Sequence, residues 1–410
     1  MITGLKINRA VQDILEQLPE TDEAAIASML PPACYTSPEF FEFERRRVFT
    51  HTWICVGHQQ QIPQPGDYLA VSVAAEPLLI VRSADGTMRA MSALCQHRGQ
   101  IITRESGTVK GRFLCPLHYW SYDLQGNLVG APRMGDAAEQ HLCATVQLPA
   151  VNLELWHGFI FVNLDPHATP LAPSLEKVEP FWSGYEQVDL VAIPPTTPEH
   201  PLPWNWKVHF ENFTDAYHPE FVHRGTHDFA PSIHPSGGVK FTEMTQGDNA
   251  IARTVPLVEA DGGMMADGWG KPAAFPPIET LSPAQRQQLT FVMIPPSMTL
   301  VFTPNSVAYT LVKPVGAQAT FASNDRITAG GWLLPRSTAA LPDFQERAAL
   351  VQSGASKVWA QDVPINLGLQ SGKHSQFLPK GCYGPLETTL SQFNEWLFWA
   401  YRKAASTSMP

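Results

Sequence analysis

The pattern of hydrophobic positions changes character twice along this chain. From Ser37 to Thr50, Phe40, Phe41, Phe43 and Val48 stand among Glu42, Glu44 and Arg45 to Arg47, which predicts a short helix opened by Ser37 and Pro38. From Trp53 to about Asp165 the pattern becomes short apolar runs: Tyr68 to Val73, Pro77 to Val81, Ala90 to Leu94 and Phe159 to Leu164. Turn signals such as Pro65-Gly66-Asp67 and Asp85-Gly86 separate them, so a small all-β unit is expected. Beyond Pro166, Pro170 and Pro173 helical and strand patterns mix without a repeat, which predicts a larger α+β domain. In that part Gln287 to Val312 is uncharged, but Pro295, Pro296 and Pro304 make it strands with turns rather than a membrane helix. Phe229 to Pro283 is rich in Gly and Pro and carries Met264, Met265 and Trp269; it is expected to be irregular and to act as a lid over a site. Near the end, Phe393, Trp396, Leu397 and Tyr401 recur at helical spacing, as in a core-facing helix.

Length supports the division, because 410 residues exceed what one core holds and cores stop growing at roughly 250 to 300 residues. The expected domains are a helical segment over 1–50 that packs with the last domain, an all-β domain over 51–165, and an α+β domain over 166–410. Lys plus Arg number 28 against 38 Asp plus Glu, a net charge of -10, and no basic cluster is interleaved with aromatics. A nucleic-acid partner is therefore not expected. The N-terminus mixes Lys6, Arg9, Asp13 and Glu16 and lacks a secretory apolar core. With no membrane span either, a cytoplasmic protein is expected. The six cysteines are too scattered for a disulfide framework, and a reducing compartment leaves thiolates free for metal.

Two of those thiols are placed for that role. The β unit contains Cys95-Gln96-His97-Arg98-Gly99 and, further on, Cys115-Pro116-Leu117-His118-Tyr119-Trp120. Two thiolates and two imidazoles can hold a tetrahedral zinc or a two-iron, two-sulfur cluster with Cys on one iron and His on the other. Zinc modules usually gather cysteines in one pair and histidines in the other, whereas here each loop gives one of each, as a Rieske cluster requires. Cys34, Cys55, Cys143 and Cys382 lack such spacing and are expected to be small buried hydrophobes, with His51 and His58 equally ordinary.

A second constellation lies in the C-terminal part, where Asn205 to His223 reads Asn-Trp-Lys-Val-His-Phe-Glu-Asn-Phe-Thr-Asp-Ala-Tyr-His-Pro-Glu-Phe-Val-His. Glu211, Asp215 and His218 fall on one face if the stretch is a helix, and His223 follows Pro219. Two imidazoles so presented supply two cis positions on one metal, and a carboxylate would complete the facial triad of non-haem iron(II) oxygenases. Taken alone, the stretch also fits a structural polar patch or a zinc hydrolase site.

The Cys-His loops, with Arg98-Gly99 after the first His and Trp120 two residues beyond the second, resemble the Rieske signature. Glu211-Asn212, Asp215, Tyr217-His218 and His223, preceded by Asn205-Trp206-Lys207, resemble the catalytic motif of Rieske non-haem iron oxygenase α subunits, the superfamily of aromatic-ring-hydroxylating dioxygenases and demethylases. The likeness runs from the Glu44 to Trp53 region to the C-terminal helix. It implies an α+β fold, with a small all-β Rieske domain and a larger catalytic domain whose antiparallel sheet is covered by helices. It also implies a [2Fe-2S] cluster on Cys95, His97, Cys115 and His118 and a mononuclear iron(II) on His218, His223 and a downstream carboxylate. Asp362, in Val358-Trp359-Ala360-Gln361-Asp362-Val363-Pro364, matches the family's segment; Asp343 and Glu346 beside Pro342 look like an exposed helix start. Asp215 resembles the family's bridge, which accepts from His218 and from a cluster His of the neighbouring subunit and so implies a homotrimer. Family pockets form beside the ligands, which makes Asn212, Phe213 and Trp359 candidates for substrate contact.

With neither a nucleotide-binding glycine fingerprint nor plant-type ferredoxin spacing in the chain, electrons are expected from NAD(P)H through a separate reductase, with or without a ferredoxin between them. The implied function is a terminal oxygenase that uses O2 to hydroxylate or oxidatively N- or O-dealkylate a small organic substrate. The alternatives are arene cis-dihydroxylation, often by α subunits that carry a separate β subunit, and a non-catalytic Rieske electron carrier.

Overall fold

The computed structural model describes residues 8–18, 27–194, 201–233, 237–322 and 331–406; parts of the expected 1–50 and 166–410 segments, and Lys6, lie outside them. The chain forms two compact units, Arg45–Leu171 and Met1–Glu44 together with Ala172–Pro410. The first is almost all β and the second α+β, the fold class expected. Among the described residues no helix is long and apolar enough to cross a membrane.

The Arg45–Leu171 unit is built on a seven-stranded antiparallel sheet. Its order is Ile54–His58, Phe159–Asn163, Ala150–Trp156, Met88–Ser92, Glu76–Arg82, Asp67–Val73 and Gly107–Thr108. Alternation along Glu76–Arg82 sends Leu79 and Val81 into one apolar cluster and Leu78 and Ile80 into another. A three-stranded sheet of Arg112–Leu114, Ser121–Asp123 and Leu128–Gly130 joins the first cluster through Phe113, Tyr122 and Leu128. Cys115 and His118 lie on the turn between Arg112–Leu114 and Ser121–Asp123, and Cys95 and His97 on the turn that follows Met88–Ser92.

In the second unit the antiparallel sheet runs Leu190–Ile193, Gly331–Pro335, Val307–Gly316, Met298–Phe302, Gln288–Ile294, Ile251–Pro256 and Lys240–Phe241, with Ala319–Ala322 paired to Val307–Gly316. Gln287 to Val312 is thus three strands with turns. The helices Trp206–Thr214 and Thr388–Ser406 pack on this sheet, and the long helix Phe344–Gly372 packs on Trp206–Thr214.

Ser37 caps the helix Pro38–Phe43 by accepting from Phe40 N, with Pro38 in the first turn. Phe40 then meets Tyr401 edge-on at 5.1 Å. The following Glu44 anchors the N-terminal segment: its carboxylate takes Lys207 Nζ at 2.7 Å, Tyr401 Oη at 2.5 Å and Trp206 Nε1 at 3.3 Å. Both Glu44 and Lys207 side chains are 0 % exposed.

Three expectations need correction. Phe229 to Pro283 is not irregular, for it holds the strand Ile251–Pro256 and a hairpin of Gly263–Met265 with Gly268–Gly270. The hairpin presses on the long helix at Gly354, where a Cβ would stand 2.1 Å from the Met265 carbonyl oxygen, so only glycine admits that approach. Cys34 and Cys55 are buried, with thiols pushed up to about 12 by burial, but Cys143 is half-buried and Cys382 exposed. The run from Glu211 to His218 is not one helix: it stops at Thr214, Asp215 is its extended C-cap, and His218 precedes a separate turn Pro219–Val222. Tertiary bonds set that end, with Thr389 Oγ1 donating to the Thr214 carbonyl, and Glu211 turns away to accept from Tyr35 Oη.

Candidate metal centres

The two Cys-His loops are near copies in backbone. In each, the Cys N–H donates to the carbonyl five residues on, and the N–H four residues on returns to the Cys carbonyl, at 2.9 Å throughout. The fourth residue has positive φ in both, Gly99 at 71° and Tyr119 at 58°. Gly99 takes this conformation without strain, whereas Tyr119 takes it at a cost. The loops lay their imidazoles together, His97 Nδ1 to His118 Nδ1 at 3.1 Å, and His97 stacks on Trp120 with ring centroids 4.7 Å apart. The buried Cys95 and Cys115 thiols lie within hydrogen-bonding reach of each other, and burial first, then Cys95, raises the Cys115 pKa. Tyr122 Oη sits 3.3 Å from Cys95 Sγ and accepts from Gln96 N, a contact that spacing gave no reason to expect.

Donors paired in this way, sulfur with sulfur and nitrogen with nitrogen, fit a two-iron cluster. A single tetrahedral zinc would need all four donors around one point, at about 2.0 to 2.3 Å from it. Among the described residues only His218, His223 and Asp362 form so tight a set of three.

That second set comes from two segments. His218 and His223 flank the turn Pro219–Val222, and Asp362 projects from Phe344–Gly372. His218 Nε2 and His223 Nε2 are 3.3 Å apart, and Asp362 Oδ1 lies 3.6 Å from the first and 3.1 Å from the second. The outer nitrogens face acceptors: His218 Nδ1 meets Asp215 Oδ2 at 3.1 Å and His223 Nδ1 meets Gln361 Oε1 at 3.0 Å. Neutral rings that donate outward turn their Nε2 lone pairs inward. Two lone pairs and a carboxylate oxygen facing one another call for a cation, and two nitrogens with one oxygen suit iron(II). Burial opposes charge on His223, but Asp362 outweighs it and lifts the His223 pKa above the usual range.

Asp215 is held by the Tyr217 N–H at 2.6 Å as well as by His218, and does not belong to the three-donor set. Asn212 donates to Asp362 Oδ1 at 3.2 Å. Asp343 caps the long helix and pairs with Arg347 at 2.8 Å, far in role from the set.

The three donors open on a cavity of about 270 Å³ lined mainly by apolar side chains, with Asn212, Phe213 and Trp359 in its wall beside Phe291, Met264 and Trp269. His209, Arg253 and Gln361 are polar groups at or next to this site that the sequence pattern did not single out. Burial holds His209 down to about 4, against the opposing charge of Asp362. The available signal for Gln361 was its place beside Asp362; for Arg253 it was a lone charge in the apolar strand Ile251–Pro256.

Known proteins carry the same organisation. The profile of the ring hydroxylating alpha subunit catalytic domain matches residues 182–403, and that of the Rieske [2Fe-2S] domain matches residues 52–148. The carnitine monooxygenase oxygenase subunit of Acinetobacter pittii (strain PHEA-2) is 33% identical over 225 residues, 53% of this chain and 58% of that protein. The N,N-dimethyl phenylurea N-demethylase subunit alpha of Sphingobium sp. (strain YBL2) is 29% identical over 253 residues, 58% of this chain and 54% of its own. The alignments thus span little more than half the length of these relatives. Naphthalene 1,2-dioxygenase from Rhodococcus sp. shares the fold, with a TM-score of 0.72 over 98% of this chain and 100% of its own at 19% identity. With more than half of its length matched by the catalytic-domain profile and the cluster domain ahead of it, the chain belongs to the family of ring hydroxylating alpha subunits, the Rieske oxygenases that house a [2Fe-2S] cluster and a mononuclear iron.

Proposed function

We propose that the chain is the terminal oxygenase of a multicomponent system and that it hydroxylates, or oxidatively N- or O-dealkylates, a small organic substrate. The observation that carries this reading is the meeting of His218, His223 and Asp362 at the floor of a mostly apolar cavity. In this reading Cys95, His97, Cys115 and His118 hold the cluster and His218, His223 and Asp362 the iron(II). When bound, these groups supply single electrons and a place for dioxygen to be reduced. The expected cluster domain, 51–165, falls within the Arg45–Leu171 unit, and the catalytic domain, expected over 166–410, corresponds to Ala172–Pro410, which shares a unit with Met1–Glu44.

The protein's own residues do the positioning. Asp215 and Gln361 keep the outer ring N–H groups of His218 and His223 occupied, which fixes ring orientation and leaves Nε2 free. Asn212 holds Asp362 Oδ1. Phe213, Phe291 and Trp359 exclude water from the reacting carbon. Asp215 takes the bridging role between His218 and a cluster imidazole of the next subunit in a cytoplasmic homotrimer, and a separate reductase, with or without a ferredoxin, supplies electrons from NAD(P)H. Two of the relatives above are named for monooxygenation and N-demethylation, which favours this chemistry over cis-dihydroxylation.

The test is iron content, the electron paramagnetic resonance of the reduced cluster, and single-turnover reoxidation with a surrogate reductase. His218→Ala, His223→Ala and Asp362→Ala should lose mononuclear iron and turnover while the Rieske signal persists. Asp215→Asn should keep both metals yet leave the cluster reduced in oxygen and substrate. Formaldehyde release, or one atom of labelled oxygen in the product, supports the reading; two atoms in a diol would replace it with dihydroxylation. A protein holding two irons per chain without turnover would be an electron carrier.

A further inference from the structure

Arg253 is a buried cation without an anion. It stands in the strand Ile251–Pro256, is 3% exposed, and lines the same cavity as His218, His223 and Asp362. Its guanidinium carbon lies 4.0 Å from the Phe291 ring centroid, its Nη2 makes a long 3.4 Å bond to the Asp215 carbonyl, and its Nε has no partner. No described carboxylate pairs with it, and Asp215 acts on it only at a distance. Burial pulls its pKa down to about 10, which still leaves it charged at neutral pH.

Such a group is costly. Removing an ion from water carries a penalty that a cation–π contact repays only in part. A structural buried cation in this same unit, Lys207, is instead matched by a carboxylate at 2.7 Å. Asn305 Nδ2 in the wall donates to the Phe275 carbonyl, and Thr303 and Ser306 bond each other; His209 Nδ1, His227 Nδ1, Trp269 Nε1 and Trp359 Nε1 also lack partners, but burial holds the two imidazoles neutral and the indoles carry no charge. What Arg253 lacks is a planar acceptor that can use its fork, and a carboxylate is that acceptor. One guanidinium neutralises one negative charge, and a phosphate would bring a second.

We propose that Arg253 binds the carboxylate of the substrate, so that the substrate is a small organic acid, or a zwitterion, with an apolar body turned toward His218, His223 and Asp362. The inference rests on the oxygenase reading for what happens to that body, but not for the binding itself. The same charge rejects a simple organic cation at this end of the cavity.

Binding to the metal-loaded wild-type protein, measured by titration calorimetry, tests it without turnover. Benzoate and glycine betaine serve as acid and zwitterion, benzamide and choline as their partners without a carboxylate. At least one carboxylate probe should bind about tenfold or more tightly than its partner, and which one binds separates plain acid from zwitterion. In Arg253→Gln that probe should lose about tenfold or more while benzamide is unchanged, with Arg253→Lys in between. Equal affinity for both members of each pair, or no binding of either carboxylate, overturns the proposal. So does an equal loss for acid and amide in Arg253→Gln, which would assign Arg253 to holding the Asp215 segment. Carboxylate binding through Arg253 with no oxidised product from any probe would leave the recognition standing and remove the oxygenase reading.

Discussion

Three buried bases meet the same physical problem in different regions and resolve it differently. Lys207, under the N-terminal segment, is surrounded by the acceptors of Glu44, which Tyr401 and Trp206 also hold. His58, in the Arg45–Leu171 unit, gives up its charge: burial holds its pKa down at about 4. Arg253 does neither. It keeps its charge in an apolar cavity with a ring on one face and a long bond to a carbonyl. Lys207 has its charge matched and His58 sheds its own; the charge of Arg253, beside the three metal-binding candidates, is left for something else to match.

The comparison predicts effects of decreasing size. Lys207→Met leaves the Glu44 carboxylate buried without its cation, so urea unfolding should show a loss of about 3 to 5 kcal/mol; a loss below about 1 kcal/mol would place Lys207 with the unmatched group. For His58 the sign follows from a folded pKa of about 4 lying below the ordinary 6.5. The unfolded chain takes up the proton first, so stability present above pH 6.5 is lost as pH falls toward 4. The wild type should lose about 2 kcal/mol across that window and His58→Asn, which keeps an acceptor for the Gln60 N–H, should not; identical acid limbs for the two would mean that His58 titrates normally. Tyr401→Phe removes one donor to Glu44 and should cost about 1.5 kcal/mol by the same unfolding measurement. Arg253→Gln should change stability least, within about 1 kcal/mol and in either direction, because the charge it removes has no anion to leave behind and only a ring contact and one long bond are lost. A cost as large as that of Lys207→Met would show that Arg253 is structural and would erase the contrast.

Much of this was legible beforehand where function requires residues close in sequence. The two Cys-His loops could be read because each pair is local, and Ser37-Pro38 opened its helix because capping depends on adjacent residues. Helical periodicity failed between Glu211 and His218, since Tyr35 and Thr389, far away in the chain, decide where that helix ends and which way Glu211 faces. Arg253 showed only as a lone charge in an apolar strand, because strand alternation separates two faces but does not say which one borders a cavity. Asp362 was chosen through the motif around it, and its 3.6 Å approach to His218 could not have been inferred from spacing.

That separation bears on how the centre assembles as the chain is made. Asn212 and Asp362 are 150 residues apart, while His218 and His223 come from one turn, so the imidazole pair exists long before the carboxylate is synthesised. A bare pair of imidazoles prefers copper or zinc to iron(II). If these three side chains hold the iron, Asp362 does more than complete a coordination shell: lying on the long helix, it keeps the three-donor set incomplete until most of the chain has been made. In that reading, metal selection becomes a matter of timing as well as of ligand chemistry.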